Sequence, residues 1–481
     1  MIAFLLGWIL SLLIGLAVVV GLIGPHRRQP MIWPLMLGLS ILLGLGLSSL
    51  PMLGFLAGAH AWGLPLIGLD VLLLIVTGSL AMQFRRGGRH QPGDLVSDAA
   101  ASSAPSRWPA RIIMGWCGLI ALASAWLGVI NLSRRPWGDW DAIMIWNLRA
   151  RFFHRVEEQF MIAFSQPVIH TDYPLSIPLS VARLWVYQQL ESPLSPQSIS
   201  LLTFIAVVLI VGPVVAICRG ALAGAVAVGV LLANPLLMLF GTLQLADVPL
   251  GACLVAGWAM VLLSMTRPTE LQNSGPPSRE SVYGLALAGL LWGCMIWIKN
   301  EGLMLLLCSG PGLLVVRSPR WWVTTGRSAG LALLAGLIPF ALVLILAKLS
   351  LAGSNDLIRS QGGGSEMLAK LVDLSRHRAF WTVAGSYLIN TPTAAVKLIF
   401  VLLVIFAGWS SRNTGRLLWG MGLSIALMMA GFYTVYLLTP HDLQWHLSSS
   451  LSRLMTQLWP VFVLWAMLGL NLPWKTAGRL G

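Results

Sequence analysis

Hydrophobic residues in this chain do not alternate with polar ones at a short period. They come in blocks of about twenty, set apart by short polar or glycine-bearing breaks. The hydrocarbon core of a bilayer is about 30 Å thick, and a helix needs roughly 20 apolar residues to cross it. Blocks of that length predict spans at 2–23, 33–50, 64–83, 111–131, 199–218, 221–240, 247–265, 282–298, 302–317, 328–350, 394–410, 417–438 and 455–471. The expected fold is an all-α integral membrane protein, a polytopic bundle of about 13 transmembrane helices. The first block lacks the basic n-region and small-residue cleavage site of a signal peptide, so it is read as a helix.

Composition agrees with the pattern. Of the 481 residues, 57% are hydrophobic and 10% charged, and the mean hydropathy is +0.80, well outside the range of soluble globular domains. Cys117, Cys218, Cys253, Cys294 and Cys308 all lie in apolar blocks without paired spacing; they read as small core residues rather than a disulfide or metal framework. A net charge of +14 would suit nucleic acid only if the basic residues gathered on one soluble face. They are scattered among loops, so no nucleic-acid partner is expected.

The scatter is itself ordered. Short loops rich in Lys and Arg stay in the cytoplasm, and the basic stretches at 26–29, 84–110, Arg219, Arg267 with Arg279, 317–327, 411–416 and the tail all fall on one side when the spans are counted. Carboxylates and histidines collect on the other. The expected organisation is three N-terminal helices (1–83), a Gly-, Ser-, Ala- and Pro-rich cytoplasmic linker (84–110) and a larger membrane domain (111–481) carrying a long outer loop at 132–198. No internal repeat of the kind that marks inverted-repeat transporters is visible.

The outer loop opens on WGDWDAIMIWNLRARFF, residues 137–153. On a helical wheel Ile143, Trp146, Ala150 and Phe153 share one face, with Asp141, Arg151 and Arg155 projecting from the other. That pattern predicts an amphipathic helix lying in the membrane interface, either as a plain anchor or as a platform that presents charge to a site. The Asp-Trp-Asp triplet also resembles the metal-binding Asp-x-Asp of nucleotide-sugar transferases, but no Gly-rich αβ pattern surrounds it. Four more outer clusters follow: HTDYPLSIP (170–178), whose prolines leave Asp172 and Tyr173 in a turn; LQLADVPLG, with Asp247 at the mouth of a span; WIKNEGL, with Lys299, Asn300 and Glu301 in a tight break; and the start of the last span, with His441, His446, Ser450 and Arg453. Taken singly, Asp247 could cap a helix, Lys299 could snorkel toward the interface, and Asp442 with His446 at i, i+4 could hold a metal, although no third ligand is evident. Asp70 and Lys348, near the outer ends of spans, read as interfacial. A charge at helix depth costs about 2.5 to 3.5 kcal/mol even on insertion scales, so several such clusters on one side point to function.

In their order and placement, GDWDA, DYPLSIP and ADVPL resemble motifs of the GT-C superfamily of polyprenyl-phosphate-sugar-dependent glycosyltransferases, which includes protein O-mannosyltransferases and lipid A aminoarabinose transferases. The resemblance covers roughly residues 111 to 471. Two features depart from it: two aspartates flank Trp140 where the mannosyltransferases carry Asp-Glu, and no soluble C-terminal domain like that of oligosaccharyltransferases follows. What the resemblance implies is an inverting sugar transfer at the outer face of a membrane, a bacterial inner membrane with the site toward the periplasm. The donor is a polyprenyl-phosphate-linked sugar and the acceptor a lipid, polysaccharide or protein; cofactor and metal are not expected. The base is Asp141 or Asp139. Lys299, Arg453, His446 and Arg151 meet the donor phosphate, and Asp172, Tyr173, Asp247, Asn300, Glu301 and His441 position substrate. A transporter or flippase of a lipid-linked substrate is the alternative.

Overall fold

The computed structural model describes residues 1–24, 30–58, 65–86, 107–155, 157–165, 170–266, 276–351, 364–390, 394, 398, 402, 405, 408–409 and 415–471. Among these the chain is helical without strands, apart from one isolated bridge between Trp409 and Leu470. The first half comprises α1 (Ile2–Ile23), α2 (Ile32–Leu56), α3 (Leu66–Arg86), α4 (Arg107–Arg134), α5 (Leu148–Arg155), α6 (Ser176–Gln188), α7 (Leu194–Arg219), α8 (Ala221–Leu232) and α9 (Pro235–Thr242). The second half comprises α10 (Asp247–Met265), α11 (Arg279–Ile298), α12 (Glu301–Val316), α13 (Pro319–Val323), α14 (Arg327–Ser350), α15 (Gly364–Val372), α16 (Leu374–Asn390), α17 (Gly415–Leu438) and α18 (Leu443–Gly469).

Ten of the described helices are long and apolar enough to cross a membrane: α1, α2, α3, α4, α7, α10, α11, α14, α17 and α18. The block at 221–240 is split into α8 and α9, bent by 69°. Pro235 opens α9 and the Asn234 side chain accepts from the Leu236 amide at 3.0 Å, so a fresh helix start is written into the middle of that block. The block at 302–317 forms the 16-residue α12, below the usual spanning length. Most of the block at 394–410 and of the linker at 84–110 lies outside the described residues.

Burial orders the bundle. α10 is its axis, 94% buried, whereas α4 and α14 stand at the periphery with 11% buried. The N-terminal helices pack into the rest: Trp8 of α1 donates to Ser198 Oγ of α7 (3.0 Å) and Trp297 of α11 donates to Ser49 Oγ of α2 (3.0 Å). Asp70, expected at the interface, is fully buried beneath Arg183 of α6 instead. At one end of the bundle Arg219 of α7 donates to the carbonyls of Leu468 (2.7 Å) and Leu470 (2.8 Å), satisfying the C-terminus of α18. The carboxylate clusters lie at the opposite end, because Asp247 begins α10, Lys299 follows α11 and Lys348 closes α14.

The stretch after α4 departs from the amphipathic-anchor expectation. Residues Ala142–Asn147 form a π-helical turn that passes into α5, and Trp146, Ala150 and Phe153 are buried in protein. Trp146 stacks on Tyr173 at 5.6 Å and Phe153 meets Phe164 at 5.9 Å. Of the predicted apolar face only Ile143 is exposed. An apolar stripe looks the same in sequence whether lipid or protein covers it, and here protein does.

Candidate functional site: a shared-ion cluster at one end of the bundle

Two close approaches build the site. The Trp137–Asp141 turn is laid onto the α9–α10 connection: the Asp139 amide donates to Leu243 O (3.3 Å), the Asn147 amide group donates to Gln244 Oε1 (3.0 Å), and Gln244 donates to Pro136 O (2.9 Å). Gly138 makes this possible, since its φ of +81° and the Leu243 carbonyl, 2.5 Å from where a Cβ would stand, suit no other residue. On the other side Gly251 lets α10 touch α18, with Gln457 O 2.5 Å from its missing Cβ. These contacts bring the start of α10 between the turn and the middle of α18.

Asp247 stands at that crossing, fully buried. It does not cap its helix; the N-cap is Ala246, with no side-chain cap bond. Its Oδ1 accepts from Lys299 Nζ (3.2 Å) and from Gln457 Nε2 (2.5 Å), and its Oδ2 accepts from Arg453 Nη2 (3.0 Å) and Nε (3.1 Å). Arg453 turns its remaining nitrogen, Nη1, to Asp141 Oδ2 at 2.6 Å. Lys299 likewise bridges, reaching Glu301 Oε1 at 2.7 Å. One buried carboxylate therefore holds two cations, and each cation carries a second carboxylate nearer the surface. Lys299 is buried rather than snorkelling. Burial alone would depress its pKa, but the carboxylates of Asp247 and Glu301 outweigh it and raise the ammonium above its ordinary value. Glu301 Oε2 is buried and has no hydrogen-bond partner among the described residues.

A second branch leaves from Asn300, which donates to Asp172 Oδ2 (2.6 Å) while accepting from Lys348 Nζ at its own Oδ1 (2.8 Å). Lys348 also donates to the main-chain carbonyl of Asp172. The turn predicted at Asp172 and Tyr173 is present, closed by the Tyr173 amide on His170 O at 3.0 Å, with His170 at a φ of +51°. Arg149 braces it from below, donating to His170 O (2.5 Å) and Tyr173 O (3.1 Å); burial pulls its pKa down to about 10. Burial pushes the Tyr173 phenol up, so it stays a neutral donor through neutral pH. Across the whole site, Asp141, Asp172, Asp247 and Glu301 are balanced by Arg149, Lys299, Lys348 and Arg453.

The remaining sequence candidates lie outside this network. Asp139 is about half exposed and pairs with Arg135 one turn earlier at 3.6 Å. Arg151 pairs with Glu191 (3.4 Å) and lies over the Trp137 ring at 5.0 Å. His446 shares a hydrogen bond with the Thr439 hydroxyl (2.9 Å) and sets its ring edge-on to Tyr436 (4.9 Å), whose hydroxyl meets Ser450 at 2.8 Å. His441 packs on Trp445 at 5.7 Å. Asp442 caps α18, accepting from the Trp445 amide at 2.8 Å. Sequence reasoning missed Gln457 and Arg149 and read Lys348 as interfacial rather than as part of this network. Gln457 carried a usable signal, since it lies four residues past Arg453 and so on the same face.

No protein-family model matches the chain, and comparison with curated proteins and with solved structures finds no similar protein.

Proposed function

We propose that this protein is a membrane glycosyltransferase, carrying a sugar from a polyprenyl-phosphate donor to a lipid, polysaccharide or protein acceptor at the outer face of a bacterial inner membrane. The observation that carries the reading is Arg453, whose guanidinium is fixed by buried Asp247 on one side and meets the part-exposed carboxylate of Asp141 on the other. A base and an anion-binding cation thus stand together at the edge of the bundle. In the reaction the acceptor oxygen attacks the anomeric carbon and gives its proton to Asp141. The bond from that carbon to the phosphate oxygen breaks, and the polyprenyl phosphate leaves with the electron pair. Inversion follows from the single displacement.

Arg453 supports the departure because a guanidinium fixed in advance stabilises charge as it develops on the phosphate. A phosphate arriving beside Arg453 competes with Asp141 for it and leaves that carboxylate to face the acceptor. Lys299 and Asp247 act behind Arg453 by holding its orientation. Glu301, partly exposed and held by Lys299, stands where its carboxylate group can accept from a sugar hydroxyl. Asp172, Tyr173 and Asn300 form the adjoining wall, while His446, His441 and Arg151 stand further out, where they can meet incoming substrate.

One observation favours a transporter of the same lipid, the break between α8 and α9, since discontinuous helices line many transport paths. Purified protein in sealed vesicles with radiolabelled polyprenyl-phosphate sugars and extracted envelope acceptors separates the two. Sugar transfer by wild type, lost in Asp141→Asn with the donor still bound, is the expected result. Movement of the lipid across the bilayer without transfer overturns the enzyme reading.

A further inference from the structure

The interfacial anchor expected at 137–153 is covered by protein, yet another segment carries that pattern. α15 is a nine-residue helix, about 13 Å long and too short to cross a bilayer. On a helical wheel Leu368, Leu371 and Val372 share one face, while Glu366 and Lys370, paired at 2.9 Å, mark the opposite one, with Asp373 just past the helix end. Leu368 and Val372 are 61% and 66% exposed, and Leu374, which opens α16, is 80% exposed. We infer that α15 is an interfacial membrane anchor, lying in the headgroup zone of the leaflet at the Asp247 end of the bundle with Leu368, Val372 and Leu374 turned into the acyl boundary. Such an anchor is independent of sugar transfer.

Three observations carry it, and depth comes first. The His377 ring donates from Nε2 to Leu371 O (2.8 Å), in the last turn of α15, and meets the Tyr433 hydroxyl of α17 through Nδ1. Beside it Arg376 donates to Leu437 O (2.8 Å) and Thr439 O (3.1 Å), where α17 ends. α15 is thereby tied to the last turns of a spanning helix. α17 has 24 residues, about 36 Å of helix against a hydrocarbon core of about 30 Å, so those turns reach the headgroup level. The second observation is direction. The exposed stripe continues from Leu374 along α16 through Trp381 and Leu388, each seven residues on, while Phe380 turns inward onto Tyr433 and Tyr436. The third is size. Leu368, Leu371, Val372 and Leu374 make a patch of four side chains, far short of the roughly 20–30 residues a side of a specific protein interface. A leaflet accepts a patch of any size, so the occupant that fits is lipid.

The test uses the full-length wild type in phosphatidylcholine nanodiscs carrying a diazirine probe in the acyl phase. Label is expected on Leu368, Val372 and Leu374 as well as on the exposed leucines of α14; label on α14 with none in 364–374 overturns the inference, and this arm needs no variant to fold. Photoreactive benzoylphenylalanine placed at Leu368 is expected to give several-fold more lipid adduct than the same group placed at Glu366, on the polar face. Equal adduct from the two positions, or a cross-link from position 368 to a second copy of the chain, overturns the assignment. Leu368→Asp combined with Val372→Asp, in protein with an unchanged melting transition, is expected to lose most of the 364–374 label while α14 keeps its own. Undiminished label in that variant contradicts the anchor.

Discussion

Two ion clusters stand at the same end of this bundle, and they are finished differently. At Asp70, Arg183 is sealed: the two side chains are 0% and 2% exposed, joined at 2.8 Å. The guanidinium reaches Gly7 O (3.2 Å) and Ser11 Oγ (3.0 Å) as well, and Tyr187 adds a hydrogen bond to the carboxylate at 2.5 Å. Every group is answered by protein, so the cluster ties α1, α3 and α6 together and offers nothing to a ligand. At Asp247 the centre is equally buried but the edges are not. Arg453, Asp141 and Glu301 are 17%, 22% and 23% exposed. A fully satisfied ion pair fixes architecture; one that is fixed at its core and partly exposed at its rim is the arrangement on which the proposed function rests.

Mutations sharpen that contrast. Asp141→Asn is expected to lower sugar transfer by about 10²- to 10⁴-fold, the usual contribution of a general base, with little change in melting because its ion pair is partly exposed. Asp247→Ala leaves Lys299 and Arg453 without their buried partner and should cost about 3–5 kcal/mol of stability, read by thermal melting in detergent. Asp70→Asn removes the partner of Arg183 and should cost stability on the same scale, yet transfer per folded molecule should stay unchanged; a selective loss of turnover would break the distinction between the clusters. Asp139→Asn touches only an exposed pair with Arg135, so stability should change by about 1 kcal/mol or less and transfer should persist.

The smallest effect concerns pH. The pKa of Lys299 is raised in the folded protein, so the stability it contributes is fully present below the ordinary lysine value of about 10.4 and is lost only as pH rises through the folded value. Melting of Lys299→Met and wild type should therefore differ by a constant amount through neutral and mildly alkaline pH. A gap that closes near neutrality would mean that Lys299 is not held by its two carboxylates.

Much of this frame was legible in the sequence, because a charge embedded in an apolar block is conspicuous. Asp247, Lys299, Glu301 and Arg453 each announced themselves that way, and their shared end of the bundle followed from counting blocks. Their pairing was not legible. Asp247 meets Arg453 across more than two hundred residues and Asp70 meets Arg183 across more than one hundred; helical periodicity gives a face, not the neighbour that face will find. Asp139 and Asp141 were equivalent in sequence, and only the seating of the Gly138 turn on Leu243 separates the exposed one from the one at Arg453. The broken block at 221–240 did carry its signal, an Asn-Pro pair, masked by the hydrophobicity around it.

The most direct test of the account is sugar transfer by Asp141→Asn and Asp70→Asn in reconstituted vesicles, each rate divided by the fraction of folded protein measured in the same preparation. The account predicts loss of transfer in Asp141→Asn and a near wild-type rate per folded molecule in Asp70→Asn. Transfer that survives in Asp141→Asn would contradict it, because the open edge of the Asp247 cluster would then not be where the chemistry happens.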